Sequence, residues 1–373
     1  MLLISLCTIL IFVVLLVGFK SSRVIHGEKI GFDGEYRLVA GKGVLIAFTL
    51  VLVLTSTVRY GFIDTYAYKI MYTSVRNNLS YVDTNGWGIE AGWLYFLYAL
   101  NFISSNPKLM LFLSALIINA AFVKVTGKYS SDVCFSLLIY FSLTYLNTNN
   151  GLRQYVAAAI TILAFPLLQR KKLSGYILYS LFVALAYQMH RSAIVCIPLL
   201  FVAYGKPLNL RTVAALGLGL FFLISPGTIN EYLADLFSES KYASYLDMTH
   251  GMGFLRALIT GIIPGVLALI YVISVKRRGA ELPPIESMLL NVLFMNVLFI
   301  LMGLKMQYWA RLGFYTSFAS GIMMPKLIYH LTGKRNYKFI RLITAVCYLI
   351  FFGYNIYVNI GYGAMDSFQI DLS

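Results

Sequence analysis

The chain has 373 residues, of which 59% are apolar, 15% aromatic and only 12% charged, and its mean hydropathy is +0.76. Soluble domains are about 45–50% apolar and about 25% charged, so this composition excludes an ordinary cytosolic enzyme and a disordered chain. Thirty Lys and Arg against fifteen Asp and Glu leave a net charge of +15; in so apolar a chain, that excess points to cytoplasmic loops and anionic lipid headgroups, not to nucleic acid.

Residues 2–19 are apolar but lack a basic leader and a small-residue cleavage site, which predicts an uncleaved first span. Further apolar runs fall at 43–58, 107–125, 132–147, 153–169, 174–190, 191–204, 212–228, 254–275, 286–304, 310–330 and 339–360. At roughly 20 residues per crossing, they predict about 12 membrane helices, within a range of about 11–14. The expected fold is an all-α polytopic membrane protein, with residues 1–373 forming a single integral membrane domain. Neither an internal repeat nor a soluble domain is visible. Cys7, Cys134, Cys196 and Cys347 lie far apart inside apolar runs and read as packing thiols.

Orientation follows from Lys and Arg. Dense basic loops at 20–42, 170–172, 276–278 and 334–341 are expected in the cytoplasm, and this arrangement puts 20 basic and 6 acidic residues inside against 10 and 9 outside. Residues 59–106 then form an external loop. Its segment 88–105 is apolar but short and rich in Trp and Tyr, and a crossing there would reverse every later basic loop. It is therefore expected to be re-entrant or to lie at the interface. Residues 229–253 form a second external loop, long enough to act as a lid.

The positive-inside rule disfavours external arginines, yet Arg59, Arg153, Arg191, Arg256 and Arg311 all stand at predicted external span ends. Each alone is explained by snorkelling to headgroups. Together they suit a pyrophosphate, because guanidinium binds phosphate through paired N–H bonds and keeps its charge when partly dehydrated. Asp64, Tyr68 and Tyr72 are four apart and share a helix face. Rings and a carboxylate on one face suit a sugar, and an interfacial aromatic belt would look the same. His190, in YQMHRSA, is a candidate base near neutral pH, although a histidine beside an apolar run is more often structural. HExxH, GxxxxGK[ST], GxSxG and a DxD pair are absent. The predicted spans carry no mid-membrane acid of the kind that proton-coupled transporters use.

Arg59, Asp64 and Tyr68 in R-x-x-x-x-D-x-x-x-Y, then Glu90 before an aromatic stretch, Arg153-Gln154 opening a helix, His190-Arg191-Ser192-Ala193 closing another, and Arg311 followed by Tyr315, together resemble the EpsG-like family, similar to the Wzy polymerases of O-antigen, capsule and exopolysaccharide. The resemblance covers about residues 55–330. It implies a multi-spanning lipid-substrate glycosyltransferase in the bacterial inner (cytoplasmic) membrane, with its site facing the periplasm or exterior. The implied reaction polymerises undecaprenyl-pyrophosphate-linked oligosaccharide repeat units without metal, cofactor or nucleotide-sugar. Implied partners are that glycan, membrane lipids and a chain-length regulator, with no nucleic acid. On this reading Arg153 and Arg311 lead in gripping pyrophosphate, helped by Arg59, Arg191 and Arg256. His190, Asp64 and Glu90 are candidate bases, and Gln154, Tyr68 and Tyr72 orient sugars. A flippase or transporter of lipid-linked oligosaccharide, or an O-antigen ligase, are the competing readings.

Overall fold

The computed structural model describes residues 2–25, 37–77, 88–170, 172–224, 252–361 and 368–371. Helix α1 (Leu2–Ser21) buries Ile4, Cys7, Ile11, Leu15 and Gly18, a stripe spaced by three or four residues. Its opposite face exposes Leu6, Leu10, Val13 and Val17, as a lipid-facing helix requires. Two three-residue strands follow, β1 (Arg23–Ile25) and β2 (Arg37–Val39), paired antiparallel with Val24 opposite Leu38. They add one small ladder to an otherwise helical fold, built from β-branched and aliphatic residues that suit extended backbone.

Helices α2 (Lys42–Val58), α3 (Thr65–Asn77), α4 (Ala91–Asn101) and α5 (Lys108–Tyr129) come next. Helix α6 (Val133–Thr148) contains a π-helical turn at Phe141–Tyr145. Helix α7 (Leu152–Ala164) runs on through a 3-10 turn to Arg170. After α8 (Leu173–Met189), a 3-10 turn at Arg191–Val195 leads into α9 (Cys196–Val202), followed by α10 (Leu210–Ile224). Helix α11 (Phe254–Arg277) has a second π turn, Leu258–Ile262. The chain closes with α12 (Pro284–Lys305), α13 (Gln307–Ala310) with its 3-10 extension Arg311–Tyr315, and α14 (Ser317–Gly361).

Among the described residues, six helices are long and apolar enough to cross a membrane: α1, α5, α7 with its extension, α11, α12 and α14. Apolar helices of 10–17 residues form at the runs of α2, α6, α8, α9 and α10. The predicted runs 310–330 and 339–360 share α14, which reverses at Gly333 (φ 68°, ψ 172°), a conformation only glycine adopts cheaply. The chain is thus an all-α membrane protein whose central helix, α6, is buried on all sides from Val133 to Tyr140.

Segment 88–105 holds α4, only eleven residues long. Trp93, Leu94, Leu97 and Leu100 form its buried face, against α3 and α8. Gly92 permits the contact with α8, because a Cβ there would lie 2.5 Å from Gln188 Cβ and 2.8 Å from Gln188 O.

The basic-loop end is tied by hydrogen bonds and ion pairs within the chain. Asp132 accepts from Phe135 N at 3.2 Å, capping α6, and binds Arg341 at 2.7 Å and the Tyr337 hydroxyl at 3.1 Å. Arg37 donates through Nε to Ser130 O at 2.7 Å, and Leu38 N bonds Ser131 O at 2.8 Å. Both contacts dock β2 on the α5–α6 turn. Glu286 of α12 accepts from Tyr271 of α11 and Lys326 of α14.

Candidate functional site

A cavity of about 600 Å³ lies between α6, α11, α12 and the two arms of α14, reaching from Asn147 near the end of α6 to Ser136, about one turn in from the Asp132 cap. One wall is a stripe of α6: Ser136, Ile139, Tyr140, Leu143, Thr144 and Asn147. Ser136 and Asn147 are eleven residues apart, so at 1.5 Å per residue the wall is about 16 Å deep. Arg256 and Arg311 line the cavity with Asn147, Asn150, Asn355 and Asn359. Its walls mix hydroxyls and amides with aromatic faces, notably Tyr155 stacked on Phe314 (centroids 4.4 Å apart, planes at 22°).

Both π turns contribute to this wall, through Leu143 and Thr144 on α6 and Thr260 on α11. Such turns rotate the following residues relative to a regular helix. On α11 the turn follows Arg256, whose Nη2 donates to Asn147 Oδ1 at 2.9 Å. Arg311 reaches the cavity from the 3-10 turn after α13 and is exposed.

Three motifs distant in sequence meet at buried Gln154. Its amide donates to Arg311 O and to Ser192 Oγ, each at 3.1 Å. Ser192 Oγ also lies 2.7 Å from His190 Nδ1 and 2.9 Å from the Tyr315 hydroxyl. Ser192 N donates to His190 Nδ1 at 3.3 Å, so His190 caps the 3-10 turn that follows it. The Arg153-Gln154, His190-Arg191-Ser192 and Arg311–Tyr315 segments are therefore one polar knot, with Arg311 at its cavity side.

Glu90 is buried and ties another set together. Its carboxylate pairs with Arg153 and accepts from Arg191 N at 3.1 Å, while its carbonyl accepts from Trp93 N at the start of α4. Tyr68 packs edge-on to Trp93 (centroids 6.0 Å apart) and lies within the field of the Arg153 charge.

Asp64 is exposed on the turn before α3, and its backbone N–H donates to the cavity-lining Asn150 at 3.3 Å. Partial burial of the carboxyl lifts its pKa above the ordinary 3.8, while Arg311 and then Arg153 pull it back down. The carboxylate therefore feels both cations.

The structure separates the other expected site residues from the cavity. Arg59 is buried at the end of α2, where it donates to Ser56 O, Asn149 O (3.2 Å) and Thr65 Oγ1 (3.3 Å). These acceptors take up its guanidinium as a clamp on backbone. The Tyr72 hydroxyl donates to Ser104 O at 2.6 Å, joining α3 to the end of α4. Arg191 is exposed, and it bonds Glu90 through its backbone N–H. Neither it nor Arg153 nor His190 lines the cavity. Of the expected lid 229–253, residues 229–251 lie outside the described residues; Met252 lines the cavity and its N–H donates to Gly303 O at 2.7 Å.

Sequence reasoning missed the neutral lining. A usable signal was present in α6, where Ser136, Tyr140, Thr144 and Asn147 repeat at four, four and three residues within an apolar run. Asn355 and Asn359 repeat the pattern at four.

A helical membrane protein with an arginine-lined, hydroxyl- and amide-walled cavity is the class that fold and site define. The EpsG family model matches residues 43–369, and the chain belongs to that family, which suggests a polysaccharide-polymerase, glycosyltransferase-like role. No curated protein and no solved structure matches the chain.

Proposed function

We propose that this protein polymerises undecaprenyl-pyrophosphate-linked oligosaccharide repeat units into a polysaccharide, using the Arg256–Arg311 cavity at the outer face of the bacterial cytoplasmic membrane. The single observation that carries the reading is that cavity: cations beside neutral polar and aromatic walls match a lipid diphosphate joined to a glycan. About 12 spans, the lipid-substrate glycosyltransferase class and action without a metal or nucleotide-sugar belong to the same proposal.

In this mechanism an acceptor-sugar hydroxyl attacks the anomeric carbon of the donor chain. The new C–O bond forms as the bond to pyrophosphate breaks, and the electron pair leaves on the diphosphate. Arg311 and Arg256 stabilise that growing charge, an effect strengthened where water is scarce. Asp64 takes the hydroxyl proton. Among the three candidate bases, Asp64 adjoins the cavity-lining Ile63 and Asn150, whereas both Glu90 oxygens and His190 Nδ1 are engaged in holding turns. Arg153 acts through Glu90 and Tyr68, and Gln154 acts by fixing the Arg311 turn.

The test is elongation by purified protein of lipid-linked repeat units extracted from a deletion strain, read as a glycan ladder without added energy. A ladder is expected, and its absence under conditions where the protein stays folded overturns the reading. The pH profile gives a second check. A base works only when ionised, so turnover falls as pH drops through the Asp64 pKa, with its midpoint above the ordinary 3.8. Asp64→Asn abolishes this acid limb together with most of the activity.

A further inference from the structure

Asp64 is carried on a turn that its own sequence disfavours. Ile63, just before it, has φ 46°, a left-handed conformation that β-branched residues avoid. Strain of this kind persists where the surroundings over-determine it. Thr65 N–H bonds Phe62 O at 3.0 Å across the turn, but this is a local bond. The larger restraint comes from the far end of the described chain.

Residues 368–371 return to lie along the end of α2. Tyr60 N donates to Gln369 O and Asp371 N donates to Val58 O, each at 2.7 Å, with Arg59 and Ile370 as an antiparallel bridge pair. Phe368 is fully buried, its ring edge-on to Phe62 at 5.4 Å. Two lysines latch the strand. Lys69 of α3 binds Asp371 Oδ2 at 3.1 Å and Tyr60 O at 2.7 Å. Lys108, the first residue of α5, binds Asp371 O at 2.9 Å and Oδ1 at 3.5 Å. Asp371 thus joins α3, α5 and the end of α2 behind the turn whose front edge, Ile63, lines the cavity. Surface ion pairs alone contribute little, but here two cations share one mostly buried carboxylate and the backbone pairing adds to them.

We propose that Asp371 is a positioning residue for Asp64: the 368–371 strand, latched by Lys69 and Lys108, fixes the strained Phe62–Asp64 turn at the cavity mouth. The proposal rests on the reading of Asp64 as the base that accepts the sugar proton.

The experiment uses the full chain in detergent with lipid-linked repeat units from the deletion strain. Asp371→Ala lowers turnover about tenfold, since a misplaced reacting group costs up to about 10²-fold, while the apparent KM stays near the wild-type value. Asp371→Glu restores most of the turnover. Lys108→Met, which keeps Asp371, gives a smaller loss of the same kind. A readout independent of activity is the rate at which Ile63→Cys, on a Cys347→Ala background, reacts with a bulky maleimide; Asp371→Ala changes that rate several-fold. Asp64→Asn run alongside separates the two claims. If Asp64→Asn keeps full turnover, the base assignment falls. If Asp64→Asn is inactive but the Asp371 and Lys108 variants match wild type in turnover and labelling, the positioning role is overturned.

Discussion

Replacing Arg311 with alanine lowers elongation by about 10²–10³-fold, the usual cost of removing one preorganised group that meets developing charge. Arg311 stands on the cavity wall, on a turn whose carbonyl is pinned by Gln154, so the backbone that carries its guanidinium is held before substrate arrives. Arg311→Lys recovers little, because a lysine supplies charge without the paired N–H fork. The same substitution carries a second signature. Arg311 is the largest influence holding the Asp64 pKa down, so removing it lets burial push that pKa higher still. The acid limb of residual activity therefore moves to higher pH in Arg311→Ala. Arg256→Ala also loses turnover but leaves the limb in place, because Arg256 is bonded to Asn147 and is not among the charges acting on Asp64. A full-length ladder from Arg311→Ala, or an unshifted limb, removes Arg311 from the chemistry.

The two arginines that line the cavity were visible in the sequence as cations on the disfavoured face, and so were the other three that do not line it. Position in the chain could not sort them, because Arg153 grips Glu90 63 residues away and Arg256 grips Asn147 109 residues away, whereas two of the three Arg59 acceptors lie within six residues. Arg59 finds three oxygens around the end of α2, Arg153 finds Glu90, and Arg311 is carried onto the wall by a 3-10 turn together with Gly313 and Phe314. Helix positions were legible because apolar runs must bury or meet lipid. Their lengths were less so: α4 stops after eleven residues, and α14 absorbs two predicted runs through Gly333. The neutral cavity lining was hardest to read. A serine, threonine or asparagine in an apolar helix satisfies its own backbone as easily as it faces a hollow, as Thr8, Thr49 and Asn119 do here. The repeat of such residues along one face, on α6 and again at Asn355 and Asn359, is the signal that distinguishes a wall.

Glu90→Ala is expected to destabilise the protein by about 3–5 kcal/mol, the range for leaving one partner of a buried ion pair uncompensated. Three elements meet at this carboxylate: α4 begins at it, α7 presents Arg153 to it, and the turn after α8 donates Arg191 N–H to it. The penalty is raised because Arg153 Nε is itself buried without a hydrogen-bond partner among the described residues. Unfolding in a denaturant titration, followed by tryptophan fluorescence, reads the loss directly, since Trp93 sits at the start of α4 beside the pair. Arg153→Met on the Glu90→Ala background recovers much of it, because an apolar side chain of similar volume removes the stranded charge. Glu90→Gln falls between, keeping an acceptor for Arg191 N–H but losing the charge. If Glu90→Ala instead unfolds like wild type yet makes no polymer, the carboxylate acts in the chemistry and not in the framework. In that case a stable Glu90→Ala, Arg153→Met double variant stays inactive, whereas the framework role predicts that elongation returns with stability.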